Sequence, residues 1–226
     1  MQARYYDPVI GRFLGEDPVG FLDNGNPSYF NRYRYCANNP MNCFDPDGRT
    51  DIYIGGANDK RKDGRGPVQS YYRGLKPQKG RTVEYFTASQ KKEAIAFARK
   101  HAGNGEPLNI IGHSYGTVAA ANVAEELGES GTTVNNLVGV DSVNKPLKTG
   151  AADSEKILTT VSVNATGTGS AGDRVEAAGK LVGGGRAEAF EEGNATVFVN
   201  TDAHHEEFGK AFENSGARDV IDASYK

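Results

Sequence analysis

Residues 108–124 read LNIIGHSYGTVAAANVA. An apolar run meets Gly112, then Ser114, then Gly116, and an alanine-rich run follows. Gly-x-Ser-x-Gly between a strand pattern and a helix pattern describes a nucleophile elbow. The reason is steric: so sharp a turn strains the serine backbone, and side chains two residues to either side would collide. Held there, Ser114 Oγ stands above the sheet edge, free to attack a carbonyl carbon. The backbone N–H of Tyr115, at the helix N-terminus, faces the oxyanion that develops. Such a serine needs a base, and the chain has four histidines. His101 falls on the helix before the nucleophile strand. His113 lies inside the elbow, its side chain expected to point away from the serine. That leaves His204 and His205, in VFVNTDAHHEEFGKAF, between the last strand pattern and the last helix pattern. His205 is preferred, because Phe208 would bury one turn later; His204 stays open. For the acid, Asp141 directly follows the strand pattern NLVGV and Asp173 follows the next one. Asp202 is close enough to His204 to read as a cap of the last helix. A second oxyanion donor is sought among the glycines of YIGGANDK (53–60), at the N–H near Gly56 or Ala57.

These residues need a scaffold. Strand patterns are DIYIGG (51–56), LNIIG (108–112), NLVGV (136–140), ILTTVSVN (157–164) and TVFVN (196–200). Helix patterns lie between them. One runs over 89–103, with Ala94, Ile95, Phe97 and Ala98 apolar, Ser89 as N-cap and Gly103 as its end. Others are YGTVAAANVAEELG to Gly128, DRVEAAGKLV (173–182), and HEEFGKAFENSG to Gly216. Strands alternating with helices predict an α/β fold, a mainly parallel sheet flanked by helices on both faces. No internal repeat is visible.

On the elbow and the acid and histidine that follow it, residues 50–226 resemble a compact serine α/β-hydrolase of lipase or esterase type. In that fold the partners follow in the order Ser, Asp, His, as Ser114, Asp141 and His205 do. The catalytic histidine occupies the loop before the last helix. LVGVDSVNKP resembles the strand–acid segment of pancreatic-type lipases, which implies Asp141; the commoner location of the acid in the wider family implies Asp173. The resemblance implies hydrolysis of carboxylic esters, lipid or phospholipid, with no cofactor and no metal. The same side chains would serve a peptidase or amidase, and a catalytically silent binding module is the reading from another class. The region is short for the fold, so outer elements are expected to be missing. Residues 167–193 stand where a cap often inserts, and their glycines and acids predict a polar loop.

Residues 1–49 have another grammar, dense in Tyr, Asn, Pro and Asp. Asp-Pro-x-Gly occurs at Asp17–Gly20 and Asp45–Gly48, and it is turn chemistry. Between these turns RYRY alternates like a short strand. A small, irregular, β-rich segment is expected. ARYYDPVIGRF, EDPVG, NRYRYCANNP and FDPDG resemble the C-terminal end of the core of the Rhs/YD-repeat family. There the region closes a β-cage shell, and the second DPxG marks the border with a variable toxin domain. Some members cut themselves near that border, and Asp17 and Asp45 match the aspartates implicated. The resemblance implies an Rhs segment (1–49) followed by a hydrolase toxin domain (50–226). It also implies a cognate immunity protein, an Rhs shell and type VI secretion machinery as partners. The bacterial product would be delivered into a target cell without a signal peptide, or otherwise remain cytoplasmic.

Composition narrows the alternatives. The chain has 226 residues and a formal net charge of −3. Its densest basic stretch, NDKRKDGR (58–65), is interspersed with acids, so no nucleic-acid partner is expected. No apolar run reaches the roughly 18 residues of a membrane span. MQARYYDPVIGRF lacks the charged-then-apolar plan of a signal peptide. Cys36 and Cys43 are the only cysteines, read as free thiols and not as a disulfide or a zinc site.

Overall fold

The computed structural model describes residues 6–7, 9, 12–15, 49–56, 59, 66–76, 81–102, 106–142, 156–167 and 196–225. Asp17, Asp45, Cys36, Cys43, Ala57, Asp173, the helix expected over 173–182 and the insertion from 168 onward lie outside the described residues.

A two-residue strand β1 (Tyr6–Asp7) pairs antiparallel with β2 (Arg12–Phe13). The α/β body then runs β3 (Arg49–Gly55), α1 (Pro67–Gly74), β4 (Arg81–Thr87), α2 (Lys91–His101), β5 (Leu108–His113) and α3 (Gly116–Glu129). It continues with β6 (Val134–Val140), β7 (Ile157–Ala165), β8 (Thr196–Thr201), α4 (Phe208–Asn214) and α5 (Ala217–Ala223). The six long strands form one sheet in the order β4-β3-β5-β6-β7-β8, and every pairing is parallel. The fold is α/β. The border expected between residues 49 and 50 falls inside the first two residues of β3.

Helices cover both faces, which is why the central strands read as nearly unbroken apolar runs. All six residues of β5 are buried. Ile52, Ile54, Ile110 and Leu137 pack under α2 and α3, where Ala120, Ala121 and Ala124 bring α3 close to the sheet. Tyr53, Ile111, Val138 and Val161 pack on the other face under α1, α4 and α5, against Val68, Phe208, Phe212 and Ile221.

Four features differ from the sequence expectation. Strand β4 and helix α1 were not expected. β4 is an edge strand, and RTVEYFT is only partly buried along most of its length, so it lacks the apolar run of the central strands. The helix expected to end at Gly216 does stop there, where φ is 75° and suits glycine, but a further helix, α5, follows it and was not expected. The N-cap of α2 is Gln90 and not Ser89; the Gln90 side chain accepts from the Thr87 N–H at 3.1 Å.

At the amino ends of the strands one register row is polar: Asp51, Asn109 and Asn136 lie side by side. All three are buried. Asn136 donates to Asn109 Oδ1 at 2.6 Å and Asn109 donates to Asp51 at 2.8 Å. Arg81 and the Tyr225 hydroxyl also close on Asp51. Arg49 and Arg81 sit over the Tyr225 ring, 5.4 and 4.9 Å from its centroid. Asp51→Ala therefore removes the carboxylate facing a buried guanidinium, and is expected to cost about 3–5 kcal/mol. Tyr225→Phe, which deletes only a hydroxyl, is expected to cost about 1–2 kcal/mol. Urea denaturation midpoints of the two variants check the order.

Candidate active site

The chain runs from β3 outward to β4, then crosses back to β5 on the other side of β3. Parallel sheets leave a crevice outside the carboxyl ends of the strands where the order reverses in this way. Ser114 follows β5 and Gly56 follows β3, so both stand at that crevice. Ser114 has φ 54°, a left-handed conformation that a serine adopts only under constraint. Its N–H donates to Val140 O at 2.9 Å, and its carbonyl accepts from Thr117 N–H at 3.1 Å.

The flanking glycines have steric reasons. A Cβ on Gly112 would stand 2.6 Å from Gly116 O and 2.6 Å from Thr117 Cα. A Cβ on Gly116 would stand 2.3 Å from Ile54 O. Helix α3 thus enters directly against the end of β3, and its N-terminus faces the serine. Tyr115 is the N-cap of α3 and its side chain is exposed. Gly56 lies close to Ser114: a Cβ there would be 3.0 Å from Ser114 Cβ and 3.3 Å from Ser114 Oγ. Gly56 O accepts from the N–H of Asp59 at 3.2 Å, and Asp59 is buried and accepts from Val68 N–H at 2.7 Å, Gln69 N–H at 3.1 Å and Tyr85 OH at 2.6 Å. Sequence reasoning missed Asp59, whose partners come from α1 and β4.

Asp141 directly follows β6, the neighbour of β5, one position beyond the His113–Val140 register pair. It too has positive φ, 45°, and its N–H donates to Val163 O at 2.7 Å. The imidazole that meets it is that of His205, whose Nδ1 hydrogen-bonds Asp141 Oδ2. Both groups are buried. A carboxylate can only accept, so Nδ1 carries the hydrogen and Nε2 of the neutral ring keeps a lone pair. His204 is placed differently: its N–H donates to the Glu207 carboxylate at 2.9 Å. Glu207, not Asp202, is the N-cap of α4, and the exposed Asp202 pairs with Lys210. His101 ends α2 at the opposite edge of the sheet, where its carbonyl accepts from Thr50 Oγ1. The structure thus gathers Ser114, Tyr115, Gly56, Asp141 and His205 at one edge, and leaves His204, His101 and Asp202 out of the hydrogen-bonded pair.

His113 is turned into the protein. Its Nε2–H donates to the backbone carbonyl of His205 at 2.8 Å, and the two rings are 4.8 Å apart. Burial first, and the neighbouring His205 second, push its pKa down from 6.5 to about 3. Among the described residues no group of three His, Cys, Asp or Glu side chains is arranged to hold a metal ion, and no helix is long and apolar enough to cross a membrane. A cavity of about 420 Å³ lies between Tyr72, Arg81 and Arg218, at the amino ends of the strands and away from Ser114.

No family model matches the chain. A stretch of 45 residues, 20% of the chain, is 47% identical to a toxin subunit, YenC2, of Yersinia entomophaga. The match spans 4% of that protein's length. Part of this chain is therefore similar to part of a toxin subunit.

Two outcomes follow from the packing and charge of the elbow. Gly116→Ala drives a methyl into backbone and is expected to cost about 3 kcal/mol or more, whereas Gly74→Ala, with nothing within 4 Å, stays within about 0.5 kcal/mol. Thermal melts of the pair decide this. Between pH 6.5 and about 3 the unfolded His113 binds a proton that the folded one refuses. Stability from this group is therefore complete above pH 6.5 and is lost progressively as pH falls from there to about 3. Urea titrations across that window are expected to show a shallower acid loss in His113→Gln than in the wild type.

Proposed function

We propose that residues 50–226 are a serine hydrolase acting on carboxylic esters. The observation that carries this reading is the buried Asp141–His205 pair at the same sheet edge as the strained Ser114. Ser114 Oγ attacks the ester carbonyl carbon while its proton passes to His205 Nε2. The resulting oxyanion is held by the N–H of Tyr115, at the amino end of α3, and the N–H of Gly56, which follows β3. The intermediate collapses, the alkoxide leaves with the proton from His205, and Ser114 remains acylated. Water then attacks the acyl group, gives its proton to His205, and the acid departs as Ser114 recovers its hydrogen. Asp141 holds the imidazole in the tautomer that begins each half-reaction.

The biological setting we infer is that of a toxin domain. Its support is the similarity to part of a toxin subunit, together with the Rhs-like motifs of residues 1–49. On that reading membrane phospholipid is the damaging substrate. An immunity protein, an Rhs shell and a type VI secretion system would be the partners.

The test is hydrolysis of short and long p-nitrophenyl esters, with mass spectrometry after a fluorophosphonate probe. The probe is expected to add to Ser114. Ser114→Ala is expected to lose turnover by at least about 10³-fold, and Asp141→Asn by about 10⁴-fold, with both variants folded. Turnover that survives in Ser114→Ala, or a probe that leaves Ser114 unmodified, would overturn the assignment.

A further inference from the structure

We propose that His113 is a positioning residue: its Nε2–H clamps the main chain of His205 and so fixes the base relative to the nucleophile. This rests on the hydrolase reading above. Asp141 holds the His205 ring at Nδ1. A ring held at one atom still moves with its backbone. The neighbouring loop bonds stop short of that backbone: Gly167 N–H reaches Ala203 O at 2.9 Å, and the Glu207 carboxylate reaches His204 N–H. The carbonyl of His205 itself is taken by His113 Nε2, at 2.8 Å. Phe208, at the start of α4, packs in a T-shaped contact with the His113 ring, 5.5 Å between centroids.

The clamp is economical in its geometry. His113 is the last residue of β5, and Ser114 is the next in the chain. One dipeptide therefore presents the nucleophile on one side and holds the loop of its base on the other. Serine and base keep a common register whatever the rest of the 202–206 loop does. A displacement of about 1 Å in such a pair costs on the order of 10²-fold in rate.

The chemistry also limits which side chain can do this. The carbonyl accepts, so the group at 113 must donate. His205 becomes a cation each time it takes the serine proton, and its ring is 4.8 Å from that of His113. A lysine or arginine at 113 would place a second buried charge against it. A neutral donor of this reach is required, which leaves the Nε2–H tautomer of histidine or the amide of glutamine.

The experiment compares His113→Phe, which keeps a ring and loses the donor, with His113→Gln, which keeps a neutral donor. Readouts are steady-state kinetics on the short ester and amide hydrogen exchange over residues 203–207. In His113→Phe kcat is expected to fall about 10–100-fold with KM within about 3-fold, and exchange over 203–207 to accelerate at least about tenfold. His113→Gln is expected to recover most of both. Should the Phe variant not fold, His113→Asn, too short to span to the carbonyl, replaces it. Wild-type exchange and kcat in the disconnected variant, or equal impairment in Gln, would overturn the clamp. Failure of the hydrolase reading is seen separately, as wild-type protein that neither takes up the fluorophosphonate nor exceeds Ser114→Ala in turnover. The exchange comparison still decides the clamp in that case.

Discussion

Everything at the carboxyl edge depends on how closely the amino end of α3 approaches the ends of β3 and β5. Gly116 stands where a methyl would strike Ile54 O, and Gly112 where one would strike the first turn of the helix. That approach forces Ser114 to φ 54°. A residue held in this region costs on the order of 1–3 kcal/mol and persists only when its surroundings over-determine it. Here they do. The Ser114 N–H is tied to β6, its carbonyl to α3, and β5 is buried along its whole length. The same constraint recurs one strand over. Asp141, with φ 45°, is tied by its N–H to β7. Two strained residues at the ends of adjacent strands set the directions of the Ser114 and Asp141 side chains.

The opposite pole is organised by charge. Asp51, Asn109 and Asn136 form a buried polar row that would be costly if any member lacked a partner. Arg81 and the Tyr225 hydroxyl complete it. Burial and the Asp51 carboxylate both push the Tyr225 pKa up, so the phenol stays a donor. Between the poles the middle of the sheet is apolar on both faces. The polar row fixes strand register at one end, where a slip would leave a carboxylate facing hydrocarbon. A register fixed there places His113 opposite Val140 at the other end, with Ser114 and Asp141 next in each chain.

Legibility in the sequence followed the range of the interactions. The β5–α3 unit was plain, because glycines, serine and alternating patterns all lie within 17 residues of chain. Asp141 was readable as the residue ending an apolar strand. Pattern favoured His205, through the burial of Phe208 one turn later, and left His204 open. The structure turns the His205 imidazole toward Asp141, with its carbonyl bonded by His113, while the His204 N–H is bonded to the Glu207 carboxylate. Strand β4 escaped because an edge strand mixes Arg, Thr and Glu with its apolar residues. Helix α1 had a local signal that went unused, Gly66 followed by Pro67 at the first helical position. Asp59 had none: its partners Val68, Gln69 and Tyr85 are 9, 10 and 26 residues away.

The two ends of the α/β body meet. Arg49, the first residue of β3, donates to the carbonyl of Tyr225 at 3.1 Å. Both lie at the amino ends of the strands, whereas Ser114 lies at the carboxyl ends. A strand of seven residues separates these poles by about 20 Å. Whatever precedes residue 49 therefore joins the sheet at the pole remote from the serine. A body whose ends are tied to each other is closed mechanically, because its first strand is held by its own last residues through Arg49, Asp51 and Tyr225. That closure puts the junction with residue 48 at one pole and Ser114, Asp141 and His205 at the other, so a pull on the chain before β3 is met first by the contacts of Arg49, Asp51 and Tyr225.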